Sequence, residues 1–227
     1  MSRFFENNIE GIRSNLILMG QKVIDSVELS IEAIKEGNPS FRKVIKSKDD
    51  EIDTLENQIV SDITIHLSTH APVAADLRFL VTAMKVSHEL ERVGDEAKAI
   101  VRRSQKAMNG HLNHIPEMAE ITLSMIKEAI DVFVEFDKDR TEAIWSRDIT
   151  VDHLNRENNE FFGELVSRDP ALASSVFEMV FISKSLERIG DHAVSISKEI
   201  VFMATSKGVR HAEKYKKAAL RKKLENS

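Results

Sequence analysis

Glu91-Arg92-Val93-Gly94-Asp95 returns 96 residues later as Glu187-Arg188-Ile189-Gly190-Asp191, and this duplication restricts the possible folds more than any other property of the chain. A motif that recurs at a fixed long interval implies two tandem copies of one supersecondary unit. Upstream, Lys48-Asp49-Asp50-Glu51-Ile52-Asp53-Thr54-Leu55 is echoed 99 residues later by Arg147-Asp148-Ile149-Thr150-Val151-Asp152-His153-Leu154. Pro72 has its counterpart in Pro170.

The unit is helical. Pro39, Pro72, Pro116 and Pro170 each open a long stretch of helically spaced apolar residues, which suits proline's tolerance for the first turn of a helix and its exclusion from helix interiors. Gly37 and Gly110 fall just before two of these starts, where a preceding helix would end. The spacing predicts helices over 4–36, 40–70, 73–108, 115–138, 140–168 and 171–205. Only one Tyr, one Trp and eight Gly in 227 residues argue against a turn-rich β architecture. Helices this long, joined by short loops, must fold back on one another. The expected fold is therefore all-α: two tandem, pseudo-symmetric three-helix bundles of six long antiparallel helices, spanning 1–110 and 111–208, with a basic tail over 209–227.

Each repeat carries two acid-x-x-x-Asp pairs: Asp49/Asp53 and Glu91/Asp95 in the first, Asp148/Asp152 and Glu187/Asp191 in the second. Residues four apart share a helix face, about 6 Å apart along the axis. With 37 acids in the chain, one such pair means little. The arithmetic about the hairpin turn means more. Asp53 lies 19 residues before Pro72 and Glu91 lies 19 after it, while Asp49 and Asp95 are each 23 residues away. The second repeat balances in the same way about Asp169-Pro170. Both hairpins thus bring four carboxylates to one level. Leu77, Met84 and Glu91 are spaced by seven, as are Ala173, Val180 and Glu187, so both glutamates are expected to face a neighbouring helix. Converging carboxylates repel and call for a cation. The pattern offers oxygen ligands alone, which suit Mg, Ca, Mn or iron, or zinc through carboxylates.

Two alternatives stay open on the residues alone. Arg92 and Arg188 adjoin the glutamates, where interhelical salt bridges would neutralise them. A di-metal catalytic centre is the other, although the Glu-x-x-His pairs typical of such bundles are absent at the repeated positions. His88 lies one turn before Glu91, but its counterpart is Lys184, and a surface or core role suits it better than a metal-ligating one. Gly94 and Gly190 recur inside a helix, where each costs up to about 1 kcal/mol relative to Ala, so a close neighbour is expected at both. No catalytic residue is expected: the chain has no nucleophile elbow and no Gly-rich phosphate loop after a strand.

The net charge of −5 conceals two unlike parts. From Ser206 onward eight basic residues face two acidic ones, a net of +6 that leaves −11 on the body. The body suits cations or basic partners, and the tail an acidic surface. No cysteine is present, which excludes thiolate sites and disulfides. The N-terminal residues contain no signal-like apolar core, and nothing approaches the roughly 18 apolar residues of a membrane span. A cytoplasmic protein is expected.

At these residues the chain resembles the PhoU family of bacterial phosphate-signalling proteins. The likeness rests on the twice-occurring Glu-Arg-Ile/Val-Gly-Asp, on Pro72-Val73-Ala74-Ala75-Asp76-Leu77-Arg78, and on Glu187 to Ala193 running on to Val209-Arg210-His211. The resemblance implies iron or zinc clusters, or Mg or Mn, held on the bundle surface by Asp49, Asp53, Glu91 and Asp95 at one site and by Asp148, Asp152, Glu187 and Asp191 at the other. It implies negative regulation of phosphate uptake; no enzymatic activity is expected, and the alternatives are a carboxylate-bridged metal-dependent enzyme or an accessory regulator of a different phosphate permease. The partners it implies are the phosphate ABC transporter and the membrane sensor histidine kinase of the phosphate regulon. A homodimer or higher homo-oligomer is expected, with no nucleic-acid partner and the membrane met only through other proteins. The chain departs from the family where Asp often precedes the motif glutamate by two residues: Glu89 and Ser185 stand there. Asp76-Leu77-Arg78 becomes Ser174-Ser175-Val176. The second site is expected to hold fewer ions, or hold them less tightly.

Overall fold

A computed structural model describes residues 2–107 and 112–206, with side chains from Ile9 onward. Gly110, expected before a helix start, and the basic tail over 209–227 lie outside the described residues. Six long helices follow in order: α1 (Ser2–Glu36), α2 (Phe41–Thr69), α3 (Ala74–Ser104), α4 (Ile115–Glu135), α5 (Thr141–Arg168) and α6 (Ala173–Thr205). No strand occurs among the described residues. The expected all-α, two-bundle architecture is the one observed.

The stops follow local chemistry. Gly37 ends α1 in the left-handed region at φ 62°, its N–H donating to the Ala33 carbonyl at 2.9 Å. α4 ends earlier than its apolar periodicity predicts. Phe136 takes up the left-handed conformation at φ 57°, and the Asp137 N–H then reaches back to the Val132 carbonyl at 3.3 Å. The Asp137 carboxylate in turn accepts from the Asp139 N–H at 3.0 Å and starts a short 3-10 turn over Lys138–Arg140. Asp169 acts in the same way ahead of α6, accepting from the Ala171 N–H at 3.1 Å. Pro170 therefore opens a 3-10 turn, Pro170–Leu172, and the α-helix begins at Ala173 rather than at 171.

α1, α2 and α3 pack on one another, as do α4, α5 and α6, and one apolar core runs through both sets. The two halves meet mainly along α3 and α6. Their direction is fixed by side-chain pairs: Lys85 with Glu199 (3.0 Å), Glu96 with Arg188 (3.0 Å) and Arg103 with Glu178 (2.8 Å). As numbers rise on α3 they fall on α6, so the two helices are antiparallel. They pass each other with Gly94 and Gly190 at nearly the same level, which places both Glu-Arg-x-Gly-Asp motifs at the centre of the molecule.

Candidate metal centre

The first hairpin brings its acids together as the spacing predicts. On α2, Asp49 is buried and Asp53 exposed; on α3, Glu91 is half-buried and Asp95 exposed. Lys98, one turn after Asp95, bridges the two helices. Its ammonium bonds Asp49 closely and lies 3.2 Å from Asp95 Oδ1. Burial works against that ammonium, but the hydrogen bonds to Asp49 and Asp95 prevail and hold its pKa above the ordinary lysine value. The cation that the converging carboxylates require is thus partly supplied by the chain itself, by a residue the motif does not contain.

Of the other two acids, Glu91 lacks that relief and Asp53 has only part of it. Burial, then the negative charges of Asp95, Glu56 and Asp53, push the Glu91 carboxyl upward, with His88 opposing weakly. Asp53 is raised by burial and by Asp49, against the pull of Lys98. Beside them stand Glu56 and His88. His88 Nδ1 lies 3.2 Å from Glu56 Oε1, and ligand atoms of Glu56, His88 and Glu91 all fall within 4.8 Å of one another. Glu56 was missed by the motif arithmetic, although it lies three residues after Asp53 on the same face of α2.

The second hairpin is arranged differently. Asp148 is fully buried, its Oδ1 3.5 Å from where a Cβ on Gly190 would lie. Asp152 and Glu187 are half-buried and Asp191 is exposed. Lys184 reaches Glu187 at 2.5 Å. Neither arginine pairs with its adjacent glutamate: Arg188 crosses to Glu96, and Arg92 Nε donates to His88 Nε2 at 3.2 Å. For Glu187 the neutralising cation is Lys184 instead. The heptad-spaced stripe also lies farther out than expected, with Leu77 exposed and Met84 and Val180 only half-buried. A seven-residue step drifts by about 20° on a straight helix, which carries the stripe to the margin of the interface.

The glycines serve close packing to unequal degrees. A Cβ on Gly94 would lie 3.1 Å from Ile52 Cδ1, so α2 sits hard against α3 there, whereas at Gly190 the nearest atoms leave ordinary contact distance. Between the helices a cleft of about 610 Å³ is lined by His88, Glu91, Arg92, Asp95 and Glu96 of α3 and by Arg188, Asp191 and His192 of α6. Acids that the sequence assigns to separate sites, Glu91 and Asp95 on one side and Asp191 on the other, thus line one opening.

Fold and site together define a helical protein of two antiparallel bundles whose paired carboxylates meet at the crossing of its central helices. The PhoU domain model matches the chain twice, at residues 16–104 and 115–200, and the chain belongs to the PhoU family. It is 32% identical over 222 residues to the phosphate-specific transport system accessory protein PhoU homolog of Pseudomonas aeruginosa, covering 93% of this chain and 89% of that relative. Its identity to the Clostridium acetobutylicum homolog of the same name is 30% over 213 residues, 91% of this chain and 97% of the relative. The crystal structure of PhoU from P. aeruginosa superimposes with a TM-score of 0.86 at 27% identity, covering 89% of this chain and 100% of that one. That of the phosphate transport system regulatory protein PhoU from Streptococcus pneumoniae shares the fold, with a TM-score of 0.82 at 21% identity over 90% and 99% of the two chains.

Proposed function

We propose that this protein is a non-enzymatic accessory regulator of phosphate-specific transport, which restrains phosphate uptake and phosphate-starvation signalling from the cytoplasm. The observation that carries the reading is the PhoU domain matched twice, in order, once on each three-helix repeat. In this role it contacts the phosphate ABC transporter and the sensor histidine kinase, as a homodimer or higher homo-oligomer. No described helix is long and apolar enough to cross a membrane, which agrees with a membrane met through partners. Metal belongs to the same reading. Iron, zinc, Mg or Mn is held by Asp49, Asp53, Glu91 and Asp95, and less tightly by Asp148, Asp152, Glu187 and Asp191, where it stabilises the crossing of α3 and α6.

Deleting the gene is expected to derepress a phosphate-starvation reporter in phosphate-rich medium, and repression persisting in the deletion strain would contradict the regulatory role. Pull-down from membranes grown with and without phosphate is expected to recover the transporter or the kinase. Recovery of neither would remove the proposed contacts.

A further inference from the structure

Beyond the acidic cleft, the groove between α3 and α6 changes character. Toward the C-terminal end of α3 it forms a second cleft, of about 420 Å³. Its deepest lining is small, half-buried Ala99 of α3 and buried Ser185 of α6, and Phe181 gives it an aromatic side. Lys98 and Arg102 line it from α3, and Lys184 and Arg188 from α6. Three of these cations have acidic partners, but the partners lie deeper. The side chains of Lys98, Lys184 and Arg188 are 44, 47 and 57% exposed, against 8, 14 and 15% for Asp49, Glu187 and Glu96. Arg102 is exposed and makes no ion pair among the described residues. Solvent therefore meets a positive face on both rims, with exposed Asp95 only at the end that adjoins the acidic cleft.

The apolar part of this face is fixed in place. Phe177 and Phe181, one turn apart on α6, are 64 and 47% exposed. Arg103 Cζ stands 4.1 Å from the centroid of the Phe181 ring, and the same guanidinium donates to Glu178 at 2.8 Å, so the ring is held where it points. On the α5 side, Phe177 continues into an apolar groove lined by Gly163, Val166 and Val180. Exposed apolar residues scattered singly need no explanation, whereas a held aromatic pair between two grooves is the centre of a surface that becomes buried.

We propose that the cleft between the C-terminal half of α3 and the N-terminal half of α6 receives an acidic amphipathic helix of a partner protein, its apolar stripe against Phe181, Phe177 and Ala99 and its carboxylates on the two cationic rims. This names the surface for the transporter or kinase contacts proposed above, and it rests on them. At 1.5 Å per residue, α3 rises about 12 Å from Asp95 to Arg103 and α6 about 16 Å from Phe177 to Arg188, which is room for two to three turns of a third helix. Ala99 and Ser185 let its backbone come close, and the rims supply the charge that selects an acidic occupant and sets its register. A second copy of this chain is a poorer match, because a two-fold contact through this face sets cations against cations.

Full-length protein used as bait on solubilised membranes tests the assignment. Phe181→Glu, and Arg102→Glu with Lys184→Glu, should each lower recovery of the transporter or kinase by about tenfold or more at unchanged helical circular dichroism, and Phe181→Ala, which adds no charge, should lower it severalfold. Val44→Glu, at an exposed position on α2, should leave it unchanged. Zero-length carbodiimide coupling should join Lys184 or Lys98 to carboxylates at helical spacing in one segment of the recovered protein. Parental recovery by all the cleft variants would overturn this proposal and leave the regulatory contacts standing, whereas recovery of neither protein by the parent chain removes both. Intermolecular coupling of Lys184 only to a second copy, or to a segment without helically spaced acids, would also overturn it. So would binding of the purified chain to phosphatidylglycerol vesicles that Phe181→Glu abolishes, since the face would then belong to lipid.

Discussion

A carboxyl group pushed up by burial and by other carboxylates is a cost to the folded state, and Glu91 and Asp53 are in that position. In the unfolded chain each titrates at its ordinary value; in the folded chain it holds its proton to higher pH. Between those two values the folded state carries more protons, so stability falls as pH rises through the window and stays lowered above it. Glu91→Gln and Asp53→Asn in chelator-treated protein are therefore expected to raise the urea midpoint at pH 7, by roughly a few tenths of a kcal/mol each, and to lose that gain as the pH falls through each group's raised folded-state value to its ordinary one. Lower stability of both variants at pH 7 would contradict the assignment. With metal present the order should invert, because a bound ion adds stability in proportion to its affinity and Glu91→Gln forfeits it.

At the level of helices, the hairpins were legible because chain geometry is simple there. Counting outward from Pro72 levels Asp49 with Asp95, and Lys98 spans that pair. What spacing does not reveal is which long side chain settles between two carboxylates, or that an unmatched residue carries meaning. His88 stands where the second repeat has Lys184, and in the structure Lys184 pairs with Glu187 while His88 faces Glu56. The anchoring of α4 was equally invisible. Asn158 of α5 is wholly buried, accepts from the Asn113 side chain (2.9 Å) and the His114 N–H (3.0 Å), and donates to Ser183 Oγ (3.0 Å). One amide thus ties the entry of α4 to α5 and α6, from a position that reads as one more polar residue in a run of them. Asn158→Ala is expected to cost about 2 kcal/mol by stranding these partners, whereas the exposed neighbour Asn159→Ala should change stability by less than about 0.5 kcal/mol. Urea titrations of the two variants against the parent chain decide the point, and equal losses would mean that Asn158 is not the anchor.

For the molecule as a whole, the repeat predicts two bundles but is silent on how they join, because no spacing within one repeat encodes contact with the other. The antiparallel crossing of α3 and α6 supplies the answer. Leu90, Val93 and Ala97 of α3, like Leu186, Ile189 and Ala193 of α6, are buried in one core that serves both halves. Ion pairs continue the junction outward, from Glu96–Arg188 at the centre to Arg103–Glu178 and Lys85–Glu199 on either side. Surface pairs of this kind add little each, so the apolar contact carries the coupling and the charges fix the register. Separating the halves would expose one face of each central helix, and neither half is then expected to persist when the other unfolds. Trp145 tests this directly. It is the only tryptophan, it lies in the second half, and its indole N–H donates to Ser197 Oγ at 2.7 Å in a buried setting. Its fluorescence therefore follows the second half alone, while far-ultraviolet circular dichroism follows all six helices. In urea the two signals are expected to change together in one transition. A dichroism curve with two steps, only one of them shared by Trp145, would show instead that the halves are separate domains joined by a weak interface.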